Sequence, residues 1–352
     1  MKNDLYIKAL TLLKQLIVTQ SFSKEENNTA LILEEWFKSN GVNSHRNDNN
    51  VWATNYHFDE SKPTILLNSH HDTVKPNKAY TKNPFEAIEK EGKLFGLGSN
   101  DAGGALVGLM SLFLHYYKQD NLKYNLIIAA TAEEEISGKN GIASIIDKLP
   151  PIDFAVVGEP TEMHLAIAEK GLMVIDAYAN GISGHAAHDN TENAIYNALE
   201  DISWIKGYEF PKTSKTLGKV KMSVTQINAG SQHNVVPASC HFVIDVRVSD
   251  AYQNQEVFDV INTQTKSKVE ARSFRLNSSS ISKDHPIVKA GIDLDRKTYG
   301  SPTISDQALL SCPSLKIGPG KSSRSHSADE YIELKELEEG IELYINIFKK
   351  IL

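Results

Sequence analysis

A chain of 352 residues is longer than one hydrophobic core usually organises, so two domains are expected, one inserted in the other. Its 41% hydrophobic and 23% charged residues, with 21 Gly and 12 Pro, exclude collagen-like, disordered and coiled-coil classes. The 37 basic and 44 acidic side chains leave −7, which argues against general attraction to nucleic acid or anionic membrane and favours small-molecule partners.

Cys240 and Cys312 are the two cysteines, far apart and in no metal-binding spacing, so a reducing compartment is expected rather than a disulfide scaffold. The start is amphipathic rather than signal-like, and no apolar run reaches membrane-span length. The expected location is cytoplasmic.

In chain order, Leu5, Ala9, Leu12, Leu13 and Leu16 recur at helical spacing, as do Ala30, Leu31, Leu33, Trp36 and Phe37 before Gly41. Thr64 to Asn68 reads as a strand, Leu106 to Tyr117 as a helix, and Tyr124 to Thr131 and Phe154 to Val157 as strands. This alternation predicts an α/β sheet with helices on its faces. From Gly171 the pattern changes: strand 172–179, helix 192–205, strands 220–227 and 241–248, helix 253–263 and strand 269–276 make a βαββαβ unit. Sheet and helix patterns return at 315–317 and 334–347. The expected organisation is a discontinuous catalytic domain, 1–170 and 282–352, carrying an inserted α+β domain, 171–281.

Five motifs sit at the ends of these elements, where side chains from several strands can converge. In Ser69-His70-His71-Asp72, strand alternation puts His70 and Asp72 on one side and His71 on the other. His70 is then the better ligand, with Asp72 behind its imidazole; a solvated polar strand end is the plain alternative. Gly96-Leu97-Gly98-Ser99-Asn100-Asp101 is a glycine-rich turn that can present both oxygens of Asp101 to an ion, or simply an N-cap. Asp101 stands where a dinucleotide fingerprint needs its third glycine. Glu133-Glu134-Glu135 would repel one another unless a cation or water offsets the charge, and diverging neighbours allow one to ligate while the next carries protons. Surface acidity is the other account. Glu159 closes a buried-looking strand, and Gly318-Pro319-Gly320-Lys321 precedes His326 without meeting the phosphate-loop pattern. No G-x-S-x-G, H-E-x-x-H or C-x-x-C is present.

Taken together and in order, Ser-His70-x-Asp72, Gly-x-Gly-x-x-Asp101, Glu134-Glu135, Gly-Glu159-Pro-Thr and Gly-Pro-Gly with His326 resemble the dinuclear zinc amidohydrolase and peptidase family. That family includes acetylornithine deacetylase, succinyl-diaminopimelate desuccinylase and glutamate-releasing carboxypeptidases. The resemblance runs over almost the whole chain. It implies a mixed sheet flanked by helices, with an inserted ferredoxin-like lid and dimerisation domain. It also implies that Asp101 bridges two zinc ions, His70 and Glu159 completing one site and Glu135 and His326 the other, with cobalt as a possible substitute. Mixed imidazole and carboxylate ligation suits zinc. Glu134 would be the general base for a water activated between the ions, and Asp72 would stand behind His70.

By the same resemblance His185, in Gly184-His185-Ala186, reaches the partner's site in a homodimer and stabilises the oxyanion. His188 is a weaker candidate, and a polar turn is the alternative for both. Asn234 and Arg247 would hold substrate. Because Asp245 and Arg247 share a strand face, a surface salt bridge is the alternative to a carboxylate clamp. Residues 301–307 and 321–325 would shape specificity, with Lys321 and Arg324 as anchors. Leu97, Ala102-Gly103 and Glu133 depart from residues usual in the family, though none is an expected ligand. The expected reaction is amide hydrolysis of an N-acyl amino acid, most like acetylornithine deacetylation in arginine biosynthesis. Desuccinylation of ornithine, citrulline or diaminopimelate derivatives and cytosolic di- or tripeptide hydrolysis are alternatives. A non-catalytic binding or scaffold protein is the reading from a different class.

Overall fold

The computed structural model describes residues 2–189 and 192–352. Two compact units emerge: Met1–Ile167 with Ser280–Tyr299 and Ser305–Leu352, and Ala168–Ser279 with Gly300–Ile304.

The first unit is built on a mixed sheet. Its centre runs Asn125–Thr131, Thr64–His70, Phe154–Val157 and Ser314–Lys316, neighbours being parallel. Antiparallel strands Asn50–Thr54 and then His45–Asn47 extend one side, and Leu165–Glu169 pairs on the other. Parallel strands covered on both faces need apolar residues on both, which explains the continuous runs Ile65-Leu66-Leu67 and Leu126-Ile127-Ile128. Ile65, Leu67, Leu126 and Ile128 pack with Leu13, Phe37, Phe113 and Tyr344 from the helices Lys2–Val18, Asn27–Ser39, Gly104–Tyr116 and Leu334–Phe348. Leu66, Ile127 and Ala155 face a smaller cluster with Ile142, Ile145 and Leu149. The register sets His70 beside Thr131, so the first and third motifs leave the sheet at the same, carboxyl end.

The second unit contains an antiparallel sheet in the order Lys221–Ala229, Ser239–Val248, Gly171–Asn180, Lys268–Ala271, with helices Ala194–Gly207 and Asn254–Gln264. Strand alternation sends Met173, Ile175 and Ala177 with Phe242, Ile244 and Val246 into a core against Ala198, Ile205, Val257 and Ile261. The strand expected to Leu276 is regular only to Ala271; beyond it Asn254 Nδ2 takes up the carbonyls of Phe274 and Leu276. A two-stranded ribbon pairs Gly184–His185 with Val235–Val236. Among the described residues no helix is long and apolar enough to cross a membrane.

Candidate metal centre

His70 ends its strand buried. Its Nδ1 lies 2.9 Å from the backbone oxygen of Asp72 and 3.4 Å from that residue's Oδ1. Donating to that carbonyl leaves Nε2 with its lone pair, and Nε2 is buried with no hydrogen-bond partner among the described residues, 3.4 Å from Asp101 and 3.9 Å from Glu134. His71 points the other way, as alternation requires, and sits between Thr29 Oγ1 at 2.9 Å and the Asn49 carbonyl at 2.8 Å. Burial pushes it down to about 4, so it is neutral.

The Asp72 carboxylate has a use the sequence did not reveal. Its Oδ1 accepts from the Glu134 amide at 3.0 Å, and its Oδ2 from the Glu135 amide at 3.2 Å and the Ser23 hydroxyl at 2.7 Å. These amides are available because strand Asn125–Thr131 has ended: Glu133 takes φ 54° and Glu134–Ile136 form one 3-10 turn. Glu134 and Glu135 therefore part on a tight helical turn rather than by strand alternation. Glu133 is buried and bonded through its carboxylate to the backbone and side-chain nitrogens of Asn140.

Asp101 stands on the turn Ser99–Gly103, entered through Gly98 at φ 76°, a left-handed conformation natural to glycine. Glu330, 2% exposed, accepts from the amides of Gly98, Asn100 and Asp101 at 3.2, 2.8 and 2.9 Å. Asn100 in turn clasps the backbone of Lys321, accepting its amide at 2.9 Å and donating to its carbonyl at 3.0 Å. Gly320, at φ 90°, lets this happen, since a Cβ there would run into Asn100 Oδ1. Neither Glu330 nor Asn100 was singled out in the sequence.

Glu159 follows strand Phe154–Val157; burial and then the Asp101 charge push it up to about 8. Burial likewise raises Glu134 well above the ordinary glutamate range, although the His70 charge opposes this. His326, at φ 57° and 55% exposed on its side chain, lies 2.9 Å from Glu135 Oε2 and 3.6 Å from Asp101 Oδ2. The Glu135 hydrogen bond is the largest of the effects that raise it to about 9. Ligand atoms of His70, Asp101 and Glu159 gather within 4.8 Å of one another, and so do those of Asp101, Glu135 and His326. Asp101 belongs to both triads, and either could hold a cation.

Other expected residues fall elsewhere. Arg324, expected as a substrate anchor, has its buried guanidinium paired to Glu336 at 2.6 and 3.1 Å and stacked 4.4 Å from the Tyr331 ring, which ties the His326 segment to the last helix. Lys321 Nζ lies 3.5 Å from Glu162. Asp306, within the stretch expected to shape specificity, is buried and braces two strands by accepting from Asn68 and Thr131 at 2.8 Å each. His185, Asn234 and Arg247 lie in the second unit. His185 and Asn234 are exposed and adjacent, the Ala186 amide donating to the Asn234 carbonyl at 2.9 Å. Arg247 forms a two-point pair with Asp245 at 2.9 and 3.1 Å.

Comparison with known proteins places this geometry. Acetylornithine deacetylase of Proteus mirabilis is 29% identical over 371 residues, covering 95% of this chain and 94% of that enzyme. Succinyl-diaminopimelate desuccinylase of Rickettsia bellii is 25% identical over 386 residues, covering 97% and 96%. A tripeptidase from Staphylococcus aureus shares the fold at TM-score 0.77 and 20% identity over 98% of each chain. A dinuclear metal-binding peptidase from Bacillus subtilis does so at 0.73 and 15%, again over 98% of each. Residues 66–350 match the model of peptidase family M20/M25/M40, a span that takes in every member of both triads, and the chain belongs to that family of metal-dependent hydrolases.

Proposed function

We infer that the protein hydrolyses the amide bond of an N-acyl amino acid, most like acetylornithine deacetylase, using two cations. One observation carries this reading: Asp101 turns one oxygen towards His70 and the other towards His326, at 3.4 and 3.6 Å. His70, Asp101 and Glu159 would hold one ion, and Asp101, Glu135 and His326 the other. The donors fit: a buried Nε2 with no hydrogen-bond partner among the described residues faces carboxyls whose burial and mutual repulsion a divalent cation relieves. Imidazole and carboxylate oxygen suit zinc, with cobalt as a substitute. When bound, such a pair polarises an amide carbonyl and lowers the pKa of water from about 15.7 towards 7.

Glu134 takes the proton from the attacking water and hands it to the amine nitrogen as the C–N bond breaks. Asp72 holds both ends of this arrangement, serving His70 through its carbonyl and the glutamate turn through its carboxylate. His185 donates to the oxyanion of the partner subunit's site in a homodimer made through the second unit, with Asn234 beside it on the substrate. The exposed edge strand Lys221–Ala229 and the exposed Tyr196 and Leu199 support that interface. Arg247 binds a substrate carboxylate by exchanging it for Asp245. A cytoplasmic location goes with this chemistry.

Succinyl derivatives of ornithine, citrulline or diaminopimelate are the second substrate class, supported by the Rickettsia relative, and di- or tripeptides the third. The scaffold reading is set aside, because the chain belongs to a family of hydrolases and both triads are assembled. The test is a panel of acetyl and succinyl derivatives of the three amino acids against simple dipeptides, with metal-loaded protein. The highest kcat/KM is expected on acetylornithine, and a preference for dipeptides overturns the deacylase reading.

A further inference from the structure

We propose that Glu330 is the positioning residue of the bridging aspartate, fixing through three backbone amides the turn from which Asp101 reaches both triads. The proposal rests on the reading that those triads hold cations. A bridging carboxylate has a demanding task, since its two oxygens must face two different ligand sets at once, and a small rotation of the backbone that carries it takes one oxygen out of reach. Asp101 sits on a short irregular turn, where no regular ladder sets the backbone. Its position must come from somewhere else.

Glu330 supplies it. One carboxylate oxygen accepts from Asn100 and Asp101, at 2.8 and 2.9 Å, and the other from Gly98 at 3.2 Å. A buried carboxyl group that accepts from three amides of one turn is a directional anchor, because its two oxygens fix three N–H groups of the turn at once. Its oxygens are taken up by those three amides and it belongs to neither triad, so its action passes through Asp101. The adjacent Asp329 accepts from the amides of Thr81 and Lys82 at 2.9 Å each, tying a second loop to the same short segment. Asn100 and Lys321 close the arrangement from the other end. The segment 320–330 thus carries the His326 ligand of one triad and fixes the aspartate common to both, which links the two halves of the centre through backbone rather than through metal.

The experiment uses the full chain, stripped with chelator and titrated with Co²⁺, followed by visible absorption and calorimetry, in the wild type and in Glu330→Gln. A glutamine cannot accept from all three amides, because its NH₂ group must face at least one N–H. The wild type is expected to take two ions per chain. In Glu330→Gln the weaker site should bind at least ten-fold less tightly, the cobalt spectrum should change, and at saturating metal kcat should fall at least ten-fold with KM within two-fold. Two ions bound with wild-type affinity and an unchanged spectrum would overturn the proposal. Should the variant fail to fold, amide exchange in the metal-free wild type decides instead. Asn100 and Asp101 are expected to be protected, and exchange at open-loop rates counts against the anchor. Wild-type protein that takes up fewer than two ions overturns the two-ion reading itself, and this proposal with it.

Discussion

Asp72 accepts the backbone N–H of Glu134 at 3.0 Å while its own carbonyl oxygen lies 2.9 Å from Nδ1 of His70. One residue thereby sets the ring orientation of a candidate ligand and the place of the candidate base. In Asp72→Asn the carbonyl survives, but the side chain can no longer accept from both Glu134 and Glu135. Loss of such an outer partner typically costs about 10–100-fold in metal affinity or activity. We expect kcat at saturating metal to fall within that range with the melting temperature little changed. Steady-state kinetics with unaltered kcat would show that the glutamate turn holds its shape without this carboxylate.

Glu134 lies 3.9 Å from His70 Nε2 and belongs to neither triad. Replacing it with glutamine keeps the size and removes the proton acceptor. Metal content by elemental analysis should stay as in the wild type, and turnover should drop by about 10²–10⁴-fold, the usual share of general acid–base catalysis. Retained turnover removes Glu134 from the mechanism.

The candidate ligands stood out in the sequence because each stands at the end of a strand or turn with its own short motif, and the central strands were legible because burial on both faces leaves continuous apolar runs. What holds those ligands was not. Glu330 acts on backbone amides 229 to 232 residues away, and its partners carry no side-chain signature that marks the contact. The partner of Arg324 was equally hidden, since Glu336, in the first turn of the last helix, lies opposite it only once the chain is folded. Strands His45–Asn47 and Asn50–Thr54 were missed for a local reason: the first is polar and three residues long, and the second is joined to it by a tight turn that breaks any periodic pattern.

Metal should stabilise as well as activate. Carboxyls buried together are costly in the folded chain and far apart in the unfolded one, so a cation that binds the folded state shifts unfolding by mass action. With Zn²⁺ at about 100 times its dissociation constant the gain is about 2.7 kcal/mol. Calorimetric melts should show a raised midpoint with zinc and a return on chelation; identical melts would argue that the triads do not bind metal.

His185 is exposed in a ribbon beside Asn234, with its Nδ1 3.1 Å from the Ala187 amide. If it serves the partner's site, His185→Ala should slow hydrolysis without altering metal content. Mixed dimers of His185→Ala and Glu134→Gln chains should then regain activity, since one of the two sites has both groups intact. Verified mixed dimers as inactive as their parents would rule out service across subunits.

Acid sensitivity of the second unit follows from Asp176, which is held down to about 2 by hydrogen bonds from Arg272, at 2.7 and 3.0 Å, and from His241, at 2.9 Å. A carboxyl whose folded pKa lies below its ordinary value of 3.8 favours folding above that value, and the contribution disappears as pH falls through the folded pKa. Arg272 is 55% exposed, so screening keeps the contribution to about 1 kcal/mol or less. Asp176→Asn should therefore be slightly less stable than the wild type at pH 7, with the difference closing between pH 4 and pH 2. Denaturant titrations of both proteins at pH 7 and near pH 2 measure this, and a gap that persists at the lower pH would show that Asp176 stabilises the sheet by packing rather than by charge.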